Sequence, residues 1–289
     1  MSAVIMDGKA LGLKIRGDVK TRTAVIKAKG VTPCLAVVLV GEDPASLSYV
    51  KSKEKALAEA GMESRDIRLP ESTSEEKLLS IITELNRDKS IHGILVQSPV
   101  PKHINEEKVN ETVAPEKDVD CFHPVSVGNM ILEKPGFLPC TPHGILALLR
   151  EYKVPVSGAH AVIVGRSNIV GKPLANLLIR KEYNATVTLC HTGTKDLALH
   201  TLQADILIAA AGRPCIIKPE TVKEGAAVID VGINRVGDPS SPKGYRICGD
   251  VDPAAEQRCG FFTPVPGGVG PMTIAMLLQN VLEAAGRSI

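Results

Sequence analysis

Six short apolar runs punctuate this chain: "CLAVVLVG", "IHGILVQ", "HAVIVG", "ATVTLC", "DILIAA" and "AAVIDVG". The first two of these runs read as buried strands, covered on both faces rather than solvated on one. Segments of helical period separate most of them, and a helix-length connection brings the next strand back parallel to the last. The pattern therefore predicts βαβ units, parallel sheets and an α/β fold. Hydrophobic residues make up 44% of the chain but aromatic ones only 3%, so the interior must be built from Val, Ile, Leu and Ala.

With 289 residues the chain is long enough for two domains. The first contains a predicted helix from about Gly8 to Lys29, the strand "CLAVVLVG", a helix over "SLSYVKSKEKALAEAG", a strand near "SRDIRLP", a helix near "SEEKLLSIITELNRD" and the strand "IHGILVQ". The Pro- and Asn-dense stretch "SPVPKHINEEKVNETVAPEKDVDCFHPVSVGN" reads as mostly loop with one short helix, and is too long to lack a function. A hinge-like helix, "CTPHGILALLREYKVPVSG", marks a boundary near residue 141, after which a second series of strands begins. The chain closes with "TPVPGGVGPMTIAMLLQNVLEAAG", a Gly/Pro loop leading into a helix with Pro271 in its first turn.

Composition excludes several classes of function. The formal charge of +2 arises from 34 basic and 32 acidic residues without like-charge blocks, which favours a small-molecule partner over nucleic acid or a membrane surface. The seven cysteines are odd in number and form no CxxC pair, so free thiols in a reducing compartment are expected, with no disulfide frame and no metal site. The opening residues carry no secretory apolar region, and Asp7 and Asp18 oppose a transit peptide, so a cytoplasmic location is expected.

The stretch "HAVIVGRSNIVGKPLANLLIRK" reads as strand, tight turn and helix. Within it Gly165, Ser167 and Gly171 form a relaxed dinucleotide fingerprint, in which small residues let backbone N–H groups at a helix start meet a pyrophosphate. An NAD site usually has a carboxylate about twenty residues past the first glycine. Here the next strand ends in His191, Thr192, Gly193, Thr194 and Lys195, with Arg166 in the glycine loop, so NADP is favoured over NAD. Gly212 and Gly232 with Ile233 follow two further strands at the same sheet edge, where a cofactor lies. Helix packing explains those glycines equally well, and Asp230 is equally readable as a strand-end cap.

Three lysines at alternate positions, Lys51, Lys53 and Lys55, cannot share one helix face. Around Lys53, the positions one and two turns away are Tyr49, Val50, Ala56, Leu57 and Ala60, so Lys53 lies in the apolar stripe and the other two lie outside it. A lysine held there loses hydration and its pKa falls, which suits acid–base chemistry. The bland alternative is a lysine that snorkels to solvent. Tyr49 and Lys53 form Y-x-x-x-K, the proton-transfer pair of short-chain dehydrogenases. In that rival family, however, the glycine loop precedes the Tyr/Lys helix, and here the order is reversed.

The ordered motifs "SYVKSKEKA", "GILVQSPVPKHI", "PEKDVDCFHP", "PCTPHG", "VIVGRSNIVGKP", "ATVTLCHT", "IDVGIN", "GDVD" and "TPVPGGVGPMT" resemble the bifunctional methylenetetrahydrofolate dehydrogenase/methenyltetrahydrofolate cyclohydrolase family. The resemblance implies two α/β domains with a cleft between. Residues 1–140, with the C-terminal helix 271–289, would form the folate-binding catalytic domain, and residues 141–270 a Rossmann-type NADP-binding domain. It further implies that Tyr49 stacks on the folate, Lys53 is the catalytic lysine, Gln97 tunes that lysine and Asp120 receives the pterin. Val96, Ser98 and the loop Pro266, Gly267, Gly268, Val269 and Gly270 would complete the folate site. Gly165, Arg166, Ser167, Thr192 and Ile233 match NADP contacts, and Thr141 and Thr273 are additional candidates. The chain departs from the family pattern at Ser98, usually Leu, at Cys121, usually Gly, and at Thr192, usually Ser.

The activity implied is hydride transfer from 5,10-methylenetetrahydrofolate to NADP⁺, followed by hydrolysis of the methenyl product to 10-formyltetrahydrofolate by a homodimer. Two rivals stay open at this stage: a dehydrogenase whose hydrolysis Ser98 and Cys121 have disabled, and a catalytically silent folate or nucleotide sensor.

Overall fold

A computed structural model describes residues 2–241 and 244–288, with the backbone alone at Ala45. In chain order the first elements are β1 (Val4–Ile5), α1 (Gly8–Ala28), β2 (Cys34–Val40), α2 (Pro44–Glu59), β3 (Glu63–Leu69), α3 (Glu75–Arg87), β4 (Gly93–Val96), α4 (Glu106–Thr112), α5 (Pro124–Ile131) and α6 (Cys140–Glu151). They are followed by β5 (His160–Val164), α7 (Gly171–Leu178), β6 (Thr186–Cys190), α8 (Leu197–Thr201), β7 (Ile206–Ala209), β8 (Ala227–Asp230), β9 (Asn234–Gly237), β10 (Tyr245–Cys248), β11 (Phe261–Phe262) and α9 (Val269–Gly286).

The chain divides into two compact units. One comprises Leu13–Cys140 and the stretch from Ile274 onward; the other comprises the residues up to Gly12 and Thr141–Thr273. The first unit holds a parallel three-stranded sheet in the order β3-β2-β4. Every residue of β2 is buried, as its unbroken apolar run requires for the middle strand. Cys34, Ala36, Val38 and Val40 on one face pack with Leu78, Ile82 and Leu85 of α3 and with Val109 of α4. Burying each of these larger aliphatic side chains stabilises the fold by roughly 1.5–3 kcal/mol. On the other face, a Cβ at Gly93 would come within 2.8 Å of Val119, so glycine there lets the segment leading to Asp120 lie against β4.

Local signals set the helix starts. Asp43 accepts a hydrogen bond from Ser46 N–H at the head of α2, with Pro44 beginning the helix, and Ser74 accepts from Lys77 N–H at the head of α3. The segment 98–129, expected to hold one short helix, contains α4 and the start of α5. Asn105 caps α4 through the N–H groups of Glu107 and Lys108, and His123 caps α5 ahead of Pro124. The Asn and Pro that suggest loop in the sequence are the punctuation of these helices.

The second unit is a parallel six-stranded sheet in the order β1-β11-β8-β7-β5-β6. After β6 joins one side of β5, β7 joins the other. This reversal creates a switch point outside the carboxyl ends of β5 and β7, where doubly wound sheets hold ligands. The residues leading to Gly12, counted with the first domain in the sequence, place their strand β1 beside β11 in this second sheet. Two-residue strands such as β1 and β11 are too short for any periodicity to announce. The antiparallel pair β9–β10 is likewise additional to the strands read from sequence.

Candidate active site

In the first unit, α2 buries Val50, Ala56 and Leu57, with Ala60 at its C-cap, each at most 2% exposed, and Lys53 shares their face at 7%. Lys51 is exposed, and Lys55 faces solvent near Glu59. The Nζ of Lys53 donates to Oε1 of Gln97 at 3.0 Å, while Nε2 of Gln97 donates to the Ser98 carbonyl at 2.7 Å. That second bond orients the amide, so its oxygen faces the lysine. Burial lowers the Lys53 pKa from the ordinary lysine value, and the nearby Asp120 carboxylate and Cys140 thiol oppose that fall. Together these observations exclude the snorkelling alternative, because the amine is directed inward.

Tyr49, one turn before Lys53, keeps 38% of its surface exposed, and partial burial pushes its phenol pKa up. Ser98 donates its hydroxyl to the Glu106 carboxylate, a contact an apolar side chain could not make. The two aspartates of "DVD" have separate environments. Asp118 is 5% exposed and accepts from the N–H groups of Phe122 and His123, so it holds the turn. Burial raises its pKa in spite of those bonds. Asp120 is only partly buried and sits where its charge reaches Lys53. Cys121 stands at φ +60.

Sequence reasoning missed two residues in this unit. Cys140 is 2% exposed, donates to the Val119 carbonyl at 3.4 Å and lies beside Asp120; burial, then Asp120, raises its thiol pKa well above normal. Asn280 of α9, 2% exposed, donates to the carbonyls of Val119 and Leu138 at 2.8 and 2.9 Å, tying together the residues before Asp120 and before Cys140. The motif "PCTPHG" contained one of these signals. The polar Asn280 in an otherwise apolar helical face was the other.

In the second unit, the loop after β5 carries Gly165, at φ +128, Arg166 and Ser167. A Cβ at Gly165 would fall 2.0 Å from the Ala210 carbonyl oxygen, and one at Gly171 1.9 Å from the Gly165 carbonyl oxygen. Both glycines are therefore demanded by close backbone approach. Ser167 Oγ accepts from Val170 and Gly171 N–H at the head of α7. Arg166 is exposed, and no ion pair involves it among the described residues. At the end of β6, Nδ1 of His191 accepts from Gly193 N–H at 3.0 Å, and Thr194 Oγ1 accepts from His191 N–H. Thr192 is exposed, and no carboxylate follows β6 before Asp196. The open glycine turn, the free guanidinium and the hydroxyl beyond β6 fit a phosphorylated dinucleotide.

Gly212, at φ +64, lies in the loop after β7. Gly232 is buried and Ile233 is 51% exposed, following β8. Asp230, left open as a cap, accepts from the N–H groups of Gly232, Asp250 and Val251, each at 2.9 Å. Burial pushes its pKa up to about 6 against those bonds. Thr141 and Thr273 hydroxyls are hydrogen bonded at 3.0 Å. In the loop before α9, Pro266 is exposed, Gly267 stands at φ +116 and Gly268 is buried; α9 then opens with Val269, buried, and Gly270, partly so. A Cβ at Gly8 would fall 1.8 Å from the Gly268 carbonyl oxygen, so α1 begins hard against this loop.

A doubly wound parallel sheet with a glycine turn at its switch point, joined in one chain to an α/β unit with a buried amine, defines a dinucleotide-dependent enzyme of two units. Residues 6–120 match the catalytic domain of tetrahydrofolate dehydrogenase/cyclohydrolase, and residues 139–289 match the NAD(P)-binding domain of the same family. The chain belongs to the tetrahydrofolate dehydrogenase/cyclohydrolase family. It is 54% identical to the bifunctional protein FolD of Geotalea daltonii over 286 residues, covering 99% of each chain. It is also 54% identical to that of Moorella thermoacetica over 288 residues, covering 99% of this chain and 100% of the relative. The crystal structure of FolD from Campylobacter jejuni superposes with a TM-score of 0.95 at 48% identity, covering all of both chains. That of the Trypanosoma brucei dehydrogenase-cyclohydrolase, complexed with NADP cofactor and inhibitor, superposes with a TM-score of 0.95 at 39% identity, covering 100% of this chain and 99% of that one. No helix among the described residues is long and apolar enough to cross a membrane.

Proposed function

We propose that this protein oxidises 5,10-methylenetetrahydrofolate with NADP⁺ and hydrolyses the resulting 5,10-methenyltetrahydrofolate to 10-formyltetrahydrofolate, acting as a cytoplasmic homodimer. The observation that carries the reading is the buried Lys53 amine held by Gln97 beside Asp120. Burial favours the neutral amine over the ammonium, and a neutral amine can take a proton from water.

Tyr49 presents a ring face to the flat pterin, and Asp120 accepts from its adjacent N–H and amino groups. Val96, Gln97 and Ser98 provide further folate contacts in the same unit. The turn containing Gly165, Ser167 and Gly171 holds the pyrophosphate, its glycines letting the phosphates close on the backbone, and Arg166, His191 and Thr192 receive the 2′-phosphate. Gly212, Gly232, Ile233, Thr141 and Thr273 line the rest of the dinucleotide. Bound NADP⁺ supplies the hydride acceptor. The protein's contribution to that step is positioning, because the folate nitrogens stabilise the cation that forms.

In the hydrolysis, water adds to the methenyl carbon as Lys53 Nζ takes its proton. Breaking the bond from that carbon to N5 then leaves the formyl group on N10. Of the two hydrogens of water, one ends on N5 and the other is released as a proton. Gln97 Oε1 fixes one N–H of the amine, which directs the remaining valence of Nζ.

One spectrophotometric experiment tests the reading: methenyltetrahydrofolate absorbance followed with methylenetetrahydrofolate and either NADP⁺ or NAD⁺, then after Lys53→Met. Formation with NADP⁺, decay in the parent protein and accumulation in the variant are expected. Undiminished decay in Lys53→Met would remove the lysine from the mechanism, and no formation with either cofactor would sink the activity.

A further inference from the structure

We propose that Asp250 positions the nicotinamide half of the dinucleotide, by locking the loops after β7 and β8 to each other; the proposal rests on the reading of that sheet edge as the cofactor site. The Asp250 side chain is completely buried. Its Oδ2 accepts from Ala211 N–H at 2.6 Å and Gly212 N–H at 2.8 Å. Its Oδ1 accepts from Arg213 N–H at 3.0 Å and from Asn234 Nδ2 at 2.8 Å. Three successive backbone N–H groups make an anion-binding concavity, and here an internal carboxylate fills it.

Two consequences follow from that occupancy. Amides already committed to Asp250 cannot serve a cofactor phosphate, so the pyrophosphate is left to the Gly165–Gly171 loop. The same carboxylate joins the turn at Gly212 to Asn234, the residue after the exposed Ile233, so both loops are held by one group. Asp230 extends the lock by accepting from the N–H of Asp250 itself. The fit has no slack: a Cβ at Gly232 would fall 2.3 Å from Asp250 Oδ1, and one at Gly249 1.8 Å from Asp230 Oδ2. This accounts for Gly232 of "IDVG", which lies against Asp250, and for Gly249 of "CGDVD", which lies against Asp230.

The 2′-phosphate is read beyond β6 and the pyrophosphate at β5, so the nicotinamide half extends over β7 and β8, where Asp250 acts. The experiment compares NADP⁺ with adenosine 2′,5′-bisphosphate, which carries the adenosine half only, by calorimetric titration of the full chain without folate. In Asp250→Asn, NADP⁺ is expected to bind at least tenfold more weakly while the bisphosphate binds within twofold of the parent protein. Asn234→Ala, which removes one bond and keeps the carboxylate, is expected to show the same split at about threefold, and decides the matter if Asp250→Asn does not fold. Equal losses for both ligands, or no loss of NADP⁺ affinity, would overturn the proposal. A parent protein that binds neither ligand would instead sink the cofactor assignment, and this proposal with it.

Discussion

Lys53 Nζ and Gln97 Oε1 meet at 3.0 Å across 44 residues of sequence, one on the buried face of α2 and the other just past the end of β4. The pairing places an amine of lowered pKa opposite an acceptor whose own orientation is fixed by the Ser98 carbonyl. Removing the acceptor should free the amine to rotate. Gln97→Ala is expected to slow hydrolysis of methenyltetrahydrofolate at least tenfold and to slow hydride transfer less. Equal loss in both steps, measured by stopped-flow absorbance, would reduce Gln97 to a folate contact.

Asp120 opposes the effect of burial on Lys53, since a neighbouring negative charge favours the ammonium form. Neutralising it in Asp120→Asn therefore lowers the Lys53 pKa further. At saturating folate, the pH at which the hydrolysis rate levels off is expected to shift to lower values. A shift to higher pH, or none, would show that Asp120 does not act electrostatically on the amine.

Arg166 stands exposed in the glycine turn with no carboxylate after β6 to receive a ribose hydroxyl. Arg166→Gln is expected to raise the KM for NADP⁺ at least tenfold and leave that for NAD⁺ nearly unchanged. Parallel rises for both cofactors would mean that the guanidinium does not read the 2′-phosphate.

Cys121 holds a left-handed backbone at φ +60, which costs a residue with a side chain about 1 kcal/mol or more. Comparing two truncations isolates the backbone effect from loss of the thiol. Cys121→Gly is expected to be about 1 kcal/mol more stable than Cys121→Ala in urea unfolding. The opposite order would show that the conformation is not strained.

Asn280 supplies hydrogen bonds to two backbone carbonyls in a buried setting. Asn280→Leu leaves both without that donor and is expected to destabilise the protein by about 2–3 kcal/mol. Since Val119 directly precedes Asp120, the KM for folate should rise as well; thermal melts and steady-state kinetics check the two effects separately.

Much of the architecture was legible because it depends on short-range pattern. Unbroken apolar runs mark the buried strands, and the apolar stripe around Lys53 separates it from Lys51 and Lys55 by spacing alone. The glycine turn at Gly165–Gly171 was equally visible, because close backbone approach leaves only glycine as a choice. The helices α4 and α5 were harder, since the Asn and Pro that cap helices also make loops. Two-residue strands such as β1 carry no period at all.

What the sequence determined by itself was which segments become strands and helices and which lysine turns inward, because periodicity and turn chemistry act within a few residues. Only the tertiary structure decided that Gln97 faces that lysine, that Cys140 and Asn280 support Asp120, that β1 joins the second sheet and that Asp250 fills the concavity at Ala211–Arg213. Those pairings join residues far apart in the chain. They are set by sheet register and by how closely backbones can approach, neither of which a local pattern encodes.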